Sequence, residues 1–260
     1  MAHDTVILFM AHYLTDAIMN EFRSIREGCS PNFAVRLLYD NSREDFDSSF
    51  FDEEPDVFLY TWNDVKTKYE SMDTDFKSVV PGNCIFPILM FVKTATEFKY
   101  VWRIEYDARF SGDWNLLFHY FAKDPSDLLG TTLFRYNFRP EWNWWRSLKS
   151  PIHDLKKNSL LRGFFPVFRL SSKACAILEE AYRAGWKGHY EVSIPTILNL
   201  HGCSIEDIGG DGEFVKPENK NRFYTNTPAA AGLAPGTFVC PPHSCSDLHL
   251  VNKLYHPVKE

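Results

Sequence analysis

Short apolar runs of strand length alternate along the chain with stretches where apolar residues recur every three or four positions. Thr5–Met10 is a continuous apolar run bounded by His12 and Tyr13, the length of a buried strand. Thr15 is placed to cap a following helix in which Ile18, Phe22 and Ile25 share one face, with Gly28 positioned to end it. Phe33–Tyr39 predicts a second strand, stopping at Asp40, Asn41 and Ser42. Strand, helix and strand in about 35 residues form a βαβ unit, and two short, largely apolar strands imply a sheet covered on both faces.

The alternation continues. Arg43–Pro55 is acidic and turn-rich and predicts a surface loop, and Asp56–Tyr60 a short strand. Pro87 opens a helix running to about Phe98, since proline is tolerated in a first turn. Tyr100–Tyr106 is strand-like, and Trp114, Leu117, Phe118 and Phe121 mark a helix by their i, i+3, i+4, i+7 spacing. Phe164–Leu170 predicts another strand. Ser171 or Ser172 then caps a helix whose Ala174, Ile177, Leu178, Ala181 and Tyr182 form one stripe, with Gly185 beyond it. Ile194–Leu200 fits a short helix or strand. From Gly209 onward turn-forming residues dominate, predicting an ordered wrap that ends near Tyr255, His256 and Pro257. The pattern is α/β, without repeats, and 260 residues need no second core.

Composition narrows the functional classes. Apolar residues make up 45% and charged residues 24%, which excludes a disordered or fibrous chain. The formal net charge is −6 with a pI near 5.9, the wrong balance for a protein that tracks phosphate backbones, so no nucleic-acid partner is expected. The longest apolar stretch, Cys84–Val92, is nine residues and contains Pro87, too short for a transmembrane segment. Asp4 stands where a secretory signal would carry a basic residue. The six cysteines, at 29, 84, 175, 203, 240 and 245, form no framework, and free thiols in a reducing, cytoplasmic setting account for them. Cys240 and Cys245, with His249 and His256 downstream, are the one grouping with any zinc-like spacing.

The segment Trp102–Phe110 carries the most chemistry. Glu105 and Asp107 are two apart, so in an extended backbone both carboxylates point to one face. They lie at the carboxyl end of a predicted strand, where open α/β sheets place their ligands. Two hard carboxylates aimed at one crevice suit Mn²⁺ or Mg²⁺ carrying substrate phosphates. The same triplet also occurs by chance in solvated loops.

With its first strand near the terminus, its βαβ start and its acid-x-acid motif, here Glu105-Tyr106-Asp107, the chain resembles the GT-A glycosyltransferases of the nucleotide-diphospho-sugar transferase superfamily. Their signature is DxD, from which this motif departs at its first residue. The resemblance implies a GT-A-like mixed, mostly parallel central sheet with helices on both faces in a single domain, residues 1–110 forming the nucleotide-sugar half and 111–260 the acceptor half and tail. It implies a metal-dependent transferase of hexosyltransferase type with a UDP-sugar donor and a carbohydrate or glycolipid acceptor, and it leaves peripheral membrane contact open. In Gly188–Pro195 it places Glu191 as the catalytic base of an inverting reaction, and in Lys253–Lys259 it makes His256 a third metal ligand and Lys259 a diphosphate contact. His12, Tyr13, Asp40 and Arg109 become donor contacts. Trp142, Trp144 and Trp145 become an acceptor platform, since indole faces stack on sugar rings. Each has a plainer reading: Glu191 as an acid at a helix amino end, the tail as a solvated terminus, the tryptophans as core. Arg162–Pro166 is a loop entering a strand, with no assigned role. Two other classes stay open: a non-catalytic sugar- or nucleotide-binding module, and a metal-dependent phosphohydrolase.

Overall fold

A computed structural model describes residues 4–29, 31–42, 51, 56–69, 82–226 and 236–259, without the side chains of 239–242. The first strand, β1 (Thr5–Ala11), is buried along its whole length. Helix α1 (Asp16–Cys29) follows, with the Thr15 hydroxyl accepting the Ile18 N–H at 3.2 Å. The helix runs through Gly28 rather than ending there. Its end is closed by the Cys29 carbonyl, which accepts the N–H groups of Asn32 and Phe33, so no left-handed glycine is needed. Strands β2 (Ala34–Asp40) and β3 (Val57–Tyr60) add in parallel beside β1. The predicted loop 43–55 lies outside the described residues apart from Phe51.

A helix the pattern did not predict, α2 (Trp62–Lys68), starts at a capping box between Thr61 and Asp64. Helix α3 (Ile85–Thr94) holds Pro87 in its first turn but stops four residues short of Phe98. The chain must turn there, because Lys99 and Tyr100 both donate to the Asp4 carbonyl as β4 (Tyr100–Glu105) enters the sheet. Then come β5 (Arg109–Phe110), α4 (Trp114–Phe121), β6 (Leu128–Gly130), β7 (Phe134–Arg135) and β8 (Leu161–Arg162). Next are β9 (Val167–Ser171), α5 (Ser172–Arg183, capped by Ser171), α6 (Tyr190–Leu200) and β10 (Ile205–Asp207). The tail forms β11 (Phe238–Ser244) and β12 (Leu254–Lys259).

The central sheet has the order β10-β6-β9-β4-β1-β2-β3. All its pairings are parallel except those of β9, which runs antiparallel to both β4 and β6. Alternate residues of β1 feed two cores: Ile7 and Phe9 pack with α1 and α4, while Val6 and Leu8 pack with α3, α5 and α6. The architecture is therefore the mixed, mostly parallel sheet with helices on both faces that the resemblance implies. A second small sheet, β11-β12-β5, lays the tail across the turn that follows β4.

Candidate metal and donor site

Glu105 is the last residue of β4, and Tyr106 and Asp107 turn away from the sheet edge. Two backbone bonds hold that turn: Tyr106 N–H to the Met10 carbonyl, and Ala108 N–H to the Glu105 carbonyl at 2.9 Å. A third, from Val258 N–H to the Asp107 carbonyl at 2.8 Å, ties the tail to it. His256 on β12 is thereby brought over both acids, with Nε2 3.3 Å from Glu105 Oε2 and 3.2 Å from Asp107 Oδ1. Lys259, three residues on, bonds Asp107 Oδ2, and its ammonium lies over the Tyr106 ring.

Arg103, which sequence reasoning missed, completes the cluster. It sits two residues before Glu105 on the same strand face, buried, with its guanidinium 3.1 Å from Glu105 Oε1 and donating to the Phe165 carbonyl at 2.8 Å. Same-face alternation could have found it.

The charges decide the protonation states. Burial pushes Glu105 up, but Arg103 and His256 outweigh it and hold the carboxyl well below the usual range. Burial also raises Asp107, and contact with His256 and Lys259 again brings it below its ordinary value. Burial lowers His256, yet the two carboxylates reverse this and raise it to about 9. One ligand atom from each of Glu105, Asp107 and His256 falls within 4.8 Å of the others. Two hard oxygens and one imidazole nitrogen are a donor set suited to Mn²⁺ or Mg²⁺. Asp107 Oδ1 is buried, with the His256 Nε2 at 3.2 Å beside it, a contact that a cation held between the two would replace.

Beside the cluster opens a cavity of about 310 Å³, walled by His12, Tyr60, Arg103, Glu105, Trp144 and His189 among others. Behind its wall, Glu191 lies in the first turn of α6, buried, and is pushed up to about 8 by that burial despite the Phe165 N–H and the charge of Arg162. Pro195 explains part of this placement. It has no N–H for the Glu191 carbonyl four residues back, and that carbonyl accepts from Gly163 at 2.8 Å instead, drawing the loop before β9 against the site.

His189 is a second residue that the sequence did not flag. Its Nδ1 faces the Glu191 N–H at 3.4 Å, and its ring stacks on Trp144 at 4.2 Å between centroids. Gly82 presses against the same ring: φ is +91°, and a Cβ there would lie 2.4 Å from a ring carbon. Burial lowers His189 to about 4, so the ring is neutral at pH 7.

The remaining predicted contacts divide. His12, Tyr13 and Tyr106 form a triangle of edge-on rings with centroids 4.9–5.1 Å apart. Tyr13, Arg109 and Lys259 line a second recess of about 230 Å³ on the far side of Tyr106. Arg109 donates to the Tyr106 and Ala108 carbonyls and so braces the turn carrying Asp107. Asp40 accepts from Trp62 Nε1 at 2.7 Å and from Ser42, which ties it into the junction of β2 and α2. The three tryptophans do not form one platform. Trp144 lines the cavity, whereas Trp142 lies beneath Arg162 and Trp145 packs edge-on against Trp142 while donating to the Arg139 carbonyl. The zinc grouping does not assemble among the described residues: Cys245 is exposed, His256 faces the acids, and the Cys240 side chain lies outside them.

No family model and no curated protein matches this chain. Among solved structures, one described as a glucose-1-phosphate thymidylyltransferase from Bacillus anthracis with sucrose is 13% identical, covering 79% of this chain and 86% of that one, with a TM-score of 0.43. Another, an active-site mutant of LgtC, is 11% identical and covers 84% of this chain and 74% of that one, with a TM-score of 0.42. At these values the similarity assigns no residue.

Proposed function

We propose that the chain is a metal-dependent glycosyltransferase that moves a sugar from a nucleotide-diphosphate donor, UDP favoured, to an acceptor hydroxyl. The observation that carries this reading is the meeting of Glu105, Asp107 and His256, from a strand end and a distant tail, on the carboxyl edge of the sheet, with Glu105 lining the cavity on one side and Asp107 the smaller recess on the other. Those three would hold Mn²⁺ or Mg²⁺, whose chemistry when bound is to stabilise negative charge on a leaving diphosphate. Lys259 and Arg109 present positive charge to the same phosphates from the neighbouring recess. His12 and Tyr13 lie where a nucleoside would follow β1, with Asp40 setting the charge beside His12. Trp144 offers an indole face to the acceptor, while Trp142 and Trp145 support that wall. Glu191 is the base of this reading: raised to about 8, it takes the acceptor proton only once ionised, so turnover should climb as pH approaches 8, and its action gives inversion at the anomeric carbon. In this reading the first 110 residues serve the donor, and residues 111–260 supply the acceptor side and the tail that brings His256 and Lys259 back over the donor. No helix among the described residues is long and apolar enough to cross a membrane.

The test is donor turnover with Mn²⁺, using wild type and Asp107→Asn. The reading expects loss on substitution and on EDTA treatment, and an inverted anomeric coupling in the product's proton NMR spectrum. Equal rates with and without metal would remove the ion, and retention would remove Glu191 as base.

A binding module without catalysis is favoured by one observation: Arg103 and Lys259 already neutralise both acids. Thermal stabilisation by UDP, with no product from a panel of sugar donors, would select it.

A further inference from the structure

At the other end of β12 the loop Leu250–Lys253 projects two apolar side chains into solvent, Leu250 at 48% and Val251 at 75% exposure. The loop is held in that position. Ser111 and Lys253 exchange hydrogen bonds at 2.9 and 3.0 Å, and Leu250 N–H donates to the Tyr255 hydroxyl at 2.9 Å. The Lys253 ammonium caps the carbonyls of Asn221 and Arg222. Asn252 takes the left-handed conformation, φ +56°, that completes the turn. A fixed loop that keeps Val251 out of the core is unlike an apolar residue exposed at random.

The surroundings supply charge of one sign. A recess of about 600 Å³ beside the loop is lined by Leu116, His119, Arg222, Phe223, Val251 and Lys253 among others, with no carboxylate in its lining among the described residues. Arg222 lies over the Tyr120 ring at 4.1 Å and donates to its hydroxyl, which holds the guanidinium at this surface. Burial and the nearby Arg222 charge push Lys253 down, and its ammonium caps the Arg222 carbonyl, so the two cations stand close together. On a chain of net charge −6 this recess opposes the overall balance.

We propose that this face docks on an anionic lipid bilayer, Leu250 and Val251 entering the interface while Arg222, Lys253 and His119 meet the headgroups. The exposure of Leu250 and Val251 at the rim of a cationic recess selects this occupant: side chains that stand out into solvent find apolar surroundings ~5–10 Å into a lipid interface while the cations beside them meet its headgroups. The inference stands apart from the transferase reading and would survive its failure.

The experiment is co-sedimentation of the full chain with vesicles of phosphatidylcholine alone and of phosphatidylcholine with a minority of phosphatidylserine. The expected result is binding to the anionic vesicles only, weakening as salt rises. Val251→Asp should lower it by about tenfold or more, and Arg222→Glu and Leu116→Asp should each weaken it while thermal melts stay unchanged. Absence of vesicle binding, or binding that Val251→Asp leaves intact, overturns the proposal. So does protection of the recess by glycerol phosphate without vesicle binding, which would mean a soluble anion. A dimer in light scattering that Val251→Asp abolishes would instead assign the face to a second copy of this chain.

Discussion

Replacing Arg103 by Met tests whether the acidic cluster is held by an internal charge balance. Removing one partner of a buried ion pair costs ~3–5 kcal/mol, because the other charge is left without compensation. Here Glu105 keeps some solvent, 27% of its side chain, and His256 remains as a second cation. The expected loss therefore falls at or below the lower limit of that range, about 2–3 kcal/mol, or about 5–10 °C in Tm for a chain of this size. The lost hydrogen bond to the Phe165 carbonyl adds its own penalty of ~1 kcal/mol, which is the same in the single and double variants. A double-mutant cycle with Glu105→Gln cancels that part and isolates the pair. The melts should give a coupling energy of about 1–2 kcal/mol, with Arg103→Lys falling between Met and wild type because the two-pronged geometry is lost while the charge stays. Additive effects, within about 0.5 kcal/mol, would refute the claim that Arg103 holds Glu105.

Lys259→Met removes a half-exposed cation from Asp107, so the unassisted affinity for Mn²⁺ should rise. In water-like surroundings a unit charge pair at contact range is worth ~1 kcal/mol, so a divalent ion gains about 2 kcal/mol, roughly thirtyfold. Titration by Mn²⁺ electron spin resonance reads this directly, and weaker binding would count against a metal at Asp107. The pH dependence of stability follows from Glu191, raised by burial from 4.5 to about 8. The folded state keeps a proton that the unfolded chain releases near 4.5, so this contribution is complete below that pH and is lost as pH climbs through about 8. Its upper bound is ~4–5 kcal/mol. Melts between pH 5 and 8 should show a falling Tm that Glu191→Gln flattens, and an unchanged slope in that variant would place the titration elsewhere. Gly82→Ala puts a Cβ into the His189 ring at positive φ, and should cost about 2 kcal/mol and disturb the Trp144 stack in fluorescence. A neutral substitution would mean that the Gly82–His189 contact is looser than described.

The parts of the fold readable from sequence are those whose side chains face apolar surroundings on every side. β1, β2 and β4 announce themselves as apolar runs because the sheet is covered on both faces, and α5 because Ser171 caps an amphipathic stripe. The tail strands give no such signal. Phe238–Ser244 contains Pro241 and Pro242, and Leu254–Lys259 contains Pro257, residues that argue against a strand; β11 tolerates them as an edge strand, and Pro257 lies beyond Leu254 and Tyr255, where the pairing of β12 with β5 has ended. Pro195 misled in the same way: it delays the apparent start of α6, although the helix begins at Tyr190 and the orphaned carbonyl is satisfied by Gly163.

The same distinction governs the site. Glu105 and Asp107 were legible as a spacing, but the backbone turns at Tyr106 and Asp107 instead of staying extended, and the two acids converge through that turn and His256. Trp142, Trp144 and Trp145 were read as one platform because they are close in sequence. Residues 143–147 form a 3-10 helix, whose three residues per turn send neighbouring side chains about 120° apart, so a single one reaches the cavity. Arg103 and His189 have the opposite history, since each matters through what packs against it: Glu105 and the Phe165 carbonyl for one, Gly82 and Trp144 for the other. The charge balance follows from this. A cluster in which Arg103 and Lys259 match Glu105 and Asp107 can fold without a metal, because neither carboxylate is left uncompensated on leaving water. A divalent ion must then compete with Lys259 and the His256 proton, whereas an ion arriving with a diphosphate gives Lys259 a new anion to bind. Metal and donor affinity should therefore be coupled through Lys259, and the Met variant separates them.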